Sequence, residues 1–286
     1  MTRGKAGDAR AGAAGTVALG DLHVNRLGFG AMRVCGRDVW GPPADRAAAH
    51  RVIRRAVELG VNFIDTADSY GPHVDEILIA EALHPYPAGL VIGTKGGLVR
   101  PNRHAWESDA RPEHLRQAVD GSLKRLKLER IDLYQLHAPD PRVPFAESVG
   151  ALAEAQRAGK IRHLGLSNVS VRQLEAARRI ATIVSVQNEY NFDDRSSDDV
   201  LAACARLGIA FIPWYPLGAG RSLRSARLKR VAAQRGVSAA QVALAWLLAR
   251  SPVMLPIPGT ASRAHLEENV RAASLVLTDE DRAALG

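Results

Sequence analysis

The chain has 286 residues, 47% of them hydrophobic, and a formal charge of +8. That is material for one large core, with no run of eighteen apolar residues to span a membrane and no CxxC or zinc spacing for its two cysteines, Cys35 and Cys204. The positive charge is rich in arginine and dispersed, with no basic stripe interleaved with aromatics, so it reads as a solvated surface rather than a nucleic-acid face.

Residues 1–15 are small and polar, lack an apolar signal-peptide core and read as a flexible tail. TVALGDLHV then predicts a two-stranded hairpin turning at Gly20 and Asp21. From there strand and helix alternate to the end. NRLGFGAM is expected as a first strand and DRAAAHRVIRRAVELG as its helix. VNFID precedes DEILIAEAL, and LVIGTK precedes RPEHLRQAVDGSLKRLKL, with Pro112 near its start. IDLYQLH leads to FAESVGALAEAQRAG, closed by Gly159, and IRHLGLSN to SVRQLEAARRIA, capped by Ser170. IVSVQNEY precedes SDDVLAACARLG, and AFIPWYPL precedes two helical stretches, SARLKRVAAQRG and SAAQVALAWLLARS. VMLPIPGT is an expected eighth strand before RAHLEENVRAA, and LTDEDRAAL ends the chain. Eight such units imply a parallel sheet with right-handed crossovers. In this length they favour closure into an α/β (β/α)8 TIM barrel, a single domain over 16–286. Two thiols in so long a chain fit a reducing cytoplasm.

Three of the apolar runs end on an ionisable residue: VNFID on Asp65, LVIGTK on Lys95 and IDLYQLH on His137. Tyr70 follows in the turn DTADSYG. Each alone has a plain explanation, as a turn former, a packed ring or a hydrogen-bonded core residue. Together, at strand ends of one barrel, they stand where such barrels place catalytic groups. A phenol, with a pKa near 10, is a poor acid at neutral pH, and a nearby ammonium lowers that value. Asp65 would hold Lys95 charged, His137 would hydrogen-bond a carbonyl oxygen, and Tyr70 would donate the proton. No HxH cluster stands at a strand end, so no metal site is expected.

FIDTADSYG, GTK, LYQLH, GLSN and VQNEYN, in this order, resemble the aldo-keto reductase superfamily from about Val17 to the C-terminus. The resemblance implies a barrel capped at its bottom by the N-terminal hairpin. It implies a catalytic tetrad on Asp65, Tyr70, Lys95 and His137, and a nicotinamide dinucleotide held without a GxGxxG fingerprint. It places Ser167, Asn168 and Gln187 on the carboxamide and Trp214 under the nicotinamide ring. The loop then runs through Pro216 to Leu217, Gly218 and Gly220, whose backbone N–H groups meet the pyrophosphate. IPGTASRAHLEEN becomes a phosphate site at a helix N-terminus, with Gly259 and Thr260 as backbone donors and Glu268 and Asn269 at the adenine. The best-known relatives carry a lysine where Gly259 stands, and Arg263 is the cation expected to replace it, so NADPH is favoured over NADH.

Within the family, VNRLGFGAM, WGPPADR, YGPHV and QVALAWLLARSPV look like bacterial pyridoxal reductases. The expected activity is reduction of an aldehyde or ketone, with pyridoxal as one candidate and another small carbonyl or a keto-sugar as the alternative. A cofactor-sensing, channel-associated subunit is the rival from another class, and the intact tetrad argues against it. Substrate choice is assigned to the rim stretches 33–43, 96–109 and 138–145. Trp40 and Trp106 are candidate apolar walls there, and Arg33 or Arg103 candidate contacts for an anionic group. A monomer or small homo-oligomer in the cytoplasm, with a small-molecule carbonyl as partner and neither membrane nor nucleic acid, completes the expectation.

Overall fold

The computed structural model describes residues 10–286. The tail expected over 1–15 lies partly outside these residues. Within them it is corrected, because Ala11–Ala14 forms a short 3-10 turn. Ala11 is fully buried and its N–H donates to the Leu59 carbonyl at 3.0 Å.

The hairpin forms as expected, β1 (Thr16–Leu19) antiparallel to β2 (Leu22–Asn25), with Leu19 opposite Leu22 across the turn. Gly20 takes φ +66° there, a left-handed value that glycine adopts without cost. Next come β3 (Phe29–Gly30), α1 (Arg46–Glu58), β4 (Phe63–Asp65), α2 (Val74–Leu83) and β5 (Val91–Gly96). A rim hairpin, β6 (Leu98–Val99) with β7 (Glu107–Ser108), precedes α3 (Pro112–Leu126). Then follow β8 (Ile131–Leu136), α4 (Phe145–Arg157), β9 (Ile161–Ser167), α5 (Val171–Arg178), β10 (Ile183–Glu189), α6 (Asp198–Leu207) and β11 (Ala210–Trp214). Helices α7 (Ala226–Arg235), α8 (Ala239–Arg250), α9 (Arg263–Arg271) and α10 (Asp279–Leu285) end the chain. Helix starts follow local chemistry. Pro112 stands at the first position of α3, and Ser170 and Ser238 form reciprocal capping boxes with Gln173 and Gln241.

The main sheet runs β3-β4-β5-β8-β9-β10-β11, all parallel. The eighth stave is not a strand, which corrects the reading of VMLPIPGT. It touches β11 through one parallel bridge, Phe211 to Met254, with Phe211 N–H to Val253 O and Leu255 N–H to Phe211 O, both 2.9 Å. On its other side the Pro256 carbonyl accepts from Gly28 N–H at 2.9 Å. Pro256 and Pro258 have no N–H to donate, so a regular ladder cannot form. The ring nevertheless closes as a (β/α)8 barrel. Phe63, Val91, Leu133, Val184, Ile212 and Leu255 pack together with Val17, Leu19 and Val24 of the hairpin, which seals the bottom. The larger apolar clusters lie between sheet and helices. Among the described residues no helix is long and apolar enough to cross a membrane.

Candidate functional site

At the C-terminal rim, β4 delivers Asp65, β5 delivers Lys95, and His137 directly follows β8. Tyr70 enters from the turn after β4. All four are buried. The Lys95 Nζ donates to Asp65 Oδ2 at 2.7 Å, to the Thr66 carbonyl at 2.9 Å and to the Tyr70 hydroxyl at 3.3 Å. Those three bonds use every donor an ammonium has, which is what a fully buried cation requires. Asp65 Oδ1 accepts from Gln187 Nε2 at 2.8 Å, so the carboxylate is held from both sides. The His137 ring stands edge-on to Tyr70, centroids 5.8 Å apart. Its Nδ1 lies 3.4 Å from the Ser69 hydroxyl, leaving Nε2 for the cleft.

Burial, followed by the negative charges of Asp65 and Asp75, raises the Tyr70 phenol well above its ordinary value. The lowered phenol expected from the sequence is therefore corrected: removal from water and the nearby carboxylates raise it. Burial, and then the Lys95 charge, holds His137 well below the usual imidazole range, so the ring is neutral. Beneath the rim, burial pushes Asp75 up to about 7, although Thr66 Oγ1 donates to it at 2.7 Å.

A cavity of about 610 Å³ opens above these groups. Asp65, Tyr70, His137, Ser167, Asn168, Gln187, Trp214, Pro216, Leu217, Gly220, Gly259, Thr260 and Trp106 line it. Lys95 lies behind Tyr70, and Gly218 is buried below its loop. Ser167, Asn168 and Trp214 are already linked. The Asn168 amide donates to the His137 carbonyl at 2.9 Å and to the Ser167 hydroxyl at 3.1 Å, and its oxygen accepts from the Trp214 indole N–H at 3.0 Å. At the far end, Gly259 meets Gly30 so closely that a Cβ on Gly259 would lie 2.5 Å from the Gly30 carbonyl oxygen. That contact explains why no lysine stands there.

Several other residues singled out in the sequence lie outside the cavity. Arg263 does not line the cavity, because its Nε pairs with Glu267 at 3.0 Å on the exposed side of α9. Glu268 and Asn269, further along α9, are outside the lining as well. Trp40 lies off the cavity, with the Arg100 guanidinium 5.4 Å from its ring centroid. Of the two rim arginines, Arg33 lines the cavity and Arg103 does not. The stretch 138–145 contributes no lining, since Asp140 turns to Arg142 and the Ala110 N–H. Met32, Leu98, Tyr215 and Leu223 line the cavity without having been singled out. Ser69 and Arg100 were missed too, for their roles come from partners distant in sequence. Among the described residues no cluster of three His, Cys, Asp or Glu is placed to hold a metal. The arrangement can orient a carbonyl oxygen between a phenol and a neutral imidazole and deliver a proton to it.

The sequence pattern of the Aldo/keto reductase family matches residues 26–285. The chain is 50% identical over 268 residues to an uncharacterized oxidoreductase of Schizosaccharomyces pombe, covering 93% of this chain and 87% of that one. It is 48% identical over 271 residues to pyridoxine 4-dehydrogenase of Escherichia coli, covering 93% and 95%. The fold matches the crystal structure of an aldo-keto reductase from Klebsiella pneumoniae in complex with NADPH, with a TM-score of 0.82, 26% identity and coverage of 94% and 93%. With a match that spans the whole barrel and relatives near half identity, the chain belongs to the aldo/keto reductase family of oxidoreductases.

Proposed function

We propose that the chain uses NADPH to reduce an aldehyde to an alcohol, and that a pyridoxal-type aromatic aldehyde is its substrate. The observation that carries the chemistry is the Lys95 Nζ held 3.3 Å from the Tyr70 hydroxyl by its 2.7 Å bond to Asp65. Bound NADPH supplies the hydride. Tyr70, kept protonated by burial, donates to the carbonyl oxygen. Lys95 favours the phenolate as the proton leaves. His137, neutral and with Nδ1 facing Ser69, offers its Nε2–H to the same oxygen and limits the angle of approach.

The residues fit a nicotinamide dinucleotide. Ser167 and the Gln187 side-chain oxygen offer a donor and an acceptor for a carboxamide beside the Trp214 indole. The backbone of Leu217–Gly220 and of Gly259–Thr260 leads from there to the N-terminus of α9, where unpaired N–H groups and the helix dipole favour phosphate. The identity to pyridoxine 4-dehydrogenase and the lining by Trp106, Leu98 and Met32 support a flat aromatic substrate.

Loss of NADPH absorbance across a panel of carbonyls, pyridoxal included, tests both parts. Tyr70→Phe keeps the ring and removes the donor. Its kcat falls at least about a hundredfold, the range for a lost general acid, while NADPH affinity measured by fluorescence stays nearly unchanged. Activity within threefold of wild type would sink the assignment. Pyridoxal turned over no better than unrelated aldehydes would overturn the substrate.

A further inference from the structure

The geometry points to Arg100 as the residue that sets which carbonyls this site accepts: it locks Trp106 against Tyr70 as a rigid wall that selects planar aromatic substrates. The inference rests on the carbonyl-reductase reading above and extends it to a positioning residue outside the tetrad. Arg100 is 7% exposed, and the partners of its guanidinium are backbone carbonyls rather than carboxylates. Nε donates to Ala105 O at 3.0 Å, one terminal nitrogen to Val39 O at 2.9 Å, and the other to Asp38 O at 3.3 Å and to Arg103 O. Two rim loops, more than sixty residues apart in the chain, are thus tied by one side chain. Its plane also stacks. The Trp106 centroid lies 3.9 Å from Cζ and the Trp40 centroid 5.4 Å from it.

The first of these loops is strained. Asp38 and Val39 take φ values of 61° and 56°, and the left-handed region is a genuine outlier for a β-branched residue. Such a conformation persists only where its surroundings over-determine it, and the Arg100 bonds to both carbonyls do so here. The second loop carries Trp106, which is 42% exposed and would swing freely without a tether. With Arg100 on its face it stands edge-on to Tyr70, centroids 6.3 Å apart and planes at 74°. A flat ring packed on this fixed indole places its carbonyl toward Tyr70 and His137. A short aliphatic aldehyde gains little from that wall. Lysine has neither the planar fork nor the stacking face, so it cannot replace Arg100.

The test compares kcat and KM for benzaldehyde and butanal in wild type, Arg100→Lys, Trp106→Leu and the double variant, with NADPH binding followed by fluorescence. Arg100→Lys raises KM for benzaldehyde about tenfold while kcat/KM for butanal and NADPH affinity stay within threefold. Trp106→Leu reproduces the loss on benzaldehyde, and the double variant is no worse than Trp106→Leu, because both remove one wall. Equal losses on both aldehydes, additive losses in the double variant, or a benzaldehyde KM unchanged in Trp106→Leu would overturn the inference. If Arg100→Lys does not fold, Arg100→Gln, which keeps amide donors but loses the guanidinium face, takes its place with the same expected outcomes. A wild type that turns over neither these aldehydes nor pyridoxal with NADPH defeats the reductase reading, and this inference with it; one that reduces pyridoxal but not benzaldehyde defeats this inference alone. An active wild type whose selectivity survives Arg100→Lys defeats this inference alone.

Discussion

Asp75 is a buried carboxyl one layer below the tetrad, and its role is electrostatic. Burial raises it from 3.8 to about 7. In the unfolded chain it ionises near its ordinary value, so the folded protein holds its proton more tightly. The stability this contributes is complete below about pH 4 and is lost as pH rises through about 7. Asp75→Asn keeps an oxygen to accept from Thr66 and cannot ionise. Relative to wild type, the variant therefore gains thermal stability between pH 5 and pH 8. Melting curves of both proteins at the two values check this, and a pH-independent difference would rule out titration of Asp75. The tetrad itself was readable because each member closes an apolar run or follows one in a turn. The sign of the Tyr70 shift was not, since it depends on how completely the phenol is removed from water and on Asp75, which comes from α2.

At the scale of elements, α9 shows what periodicity hides. Its N-terminus lies next to the cavity, and Gly259 and Thr260 line that end, as the motif implied. Which way Arg263 turns was decided elsewhere, by Glu267 one turn on. Glu267 also accepts from Arg55 of α1 at 2.8 Å, so a cation across two helices anchors it. The pair turns Arg263 toward solvent and Glu267 rather than toward the cavity. Arg263→Ala is accordingly expected to change NADPH affinity less than about threefold, with NADH affinity the same. Fluorescence titration of both coenzymes measures it. A tenfold loss confined to NADPH would show that Arg263 leaves Glu267 to read the extra phosphate. The helices and their caps were legible because capping is local chemistry. The rim hairpin β6–β7 was not, since two-residue strands carry no period.

For the whole molecule the decisive feature is how the ring closes without an eighth strand. Arg26 sits at the seam. Its guanidinium donates to Met254 O at 3.3 Å, to Leu248 O at 2.7 Å and to Ser251 O, tying the chain after the bottom hairpin to the segment that replaces the missing strand. Arg26→Met strips the Met254 and Leu248 carbonyls of this donor and leaves Ser251 O with only the Met254 N–H, and its expected cost is about 2–3 kcal/mol, the scale of hydrogen bonds to a charged donor. Urea unfolding gives the figure, and a change under 0.5 kcal/mol would show that backbone bridges alone close the barrel. The sequence by itself determined the alternation of strands and helices, the barrel class, the hairpin, and the strand ends that carry Asp65, Lys95 and His137. Those follow from apolar period, caps and turn residues, all of which act within a few residues of chain. Tertiary structure alone decided that Trp40 stands off the cavity, that Arg100 binds two distant loops, that Arg263 turns to Glu267, and that Pro256 and Pro258 leave the eighth stave without a ladder. Each of those outcomes depends on which carbonyl, ring or carboxylate arrives from another part of the chain, and that is fixed only when the barrel packs.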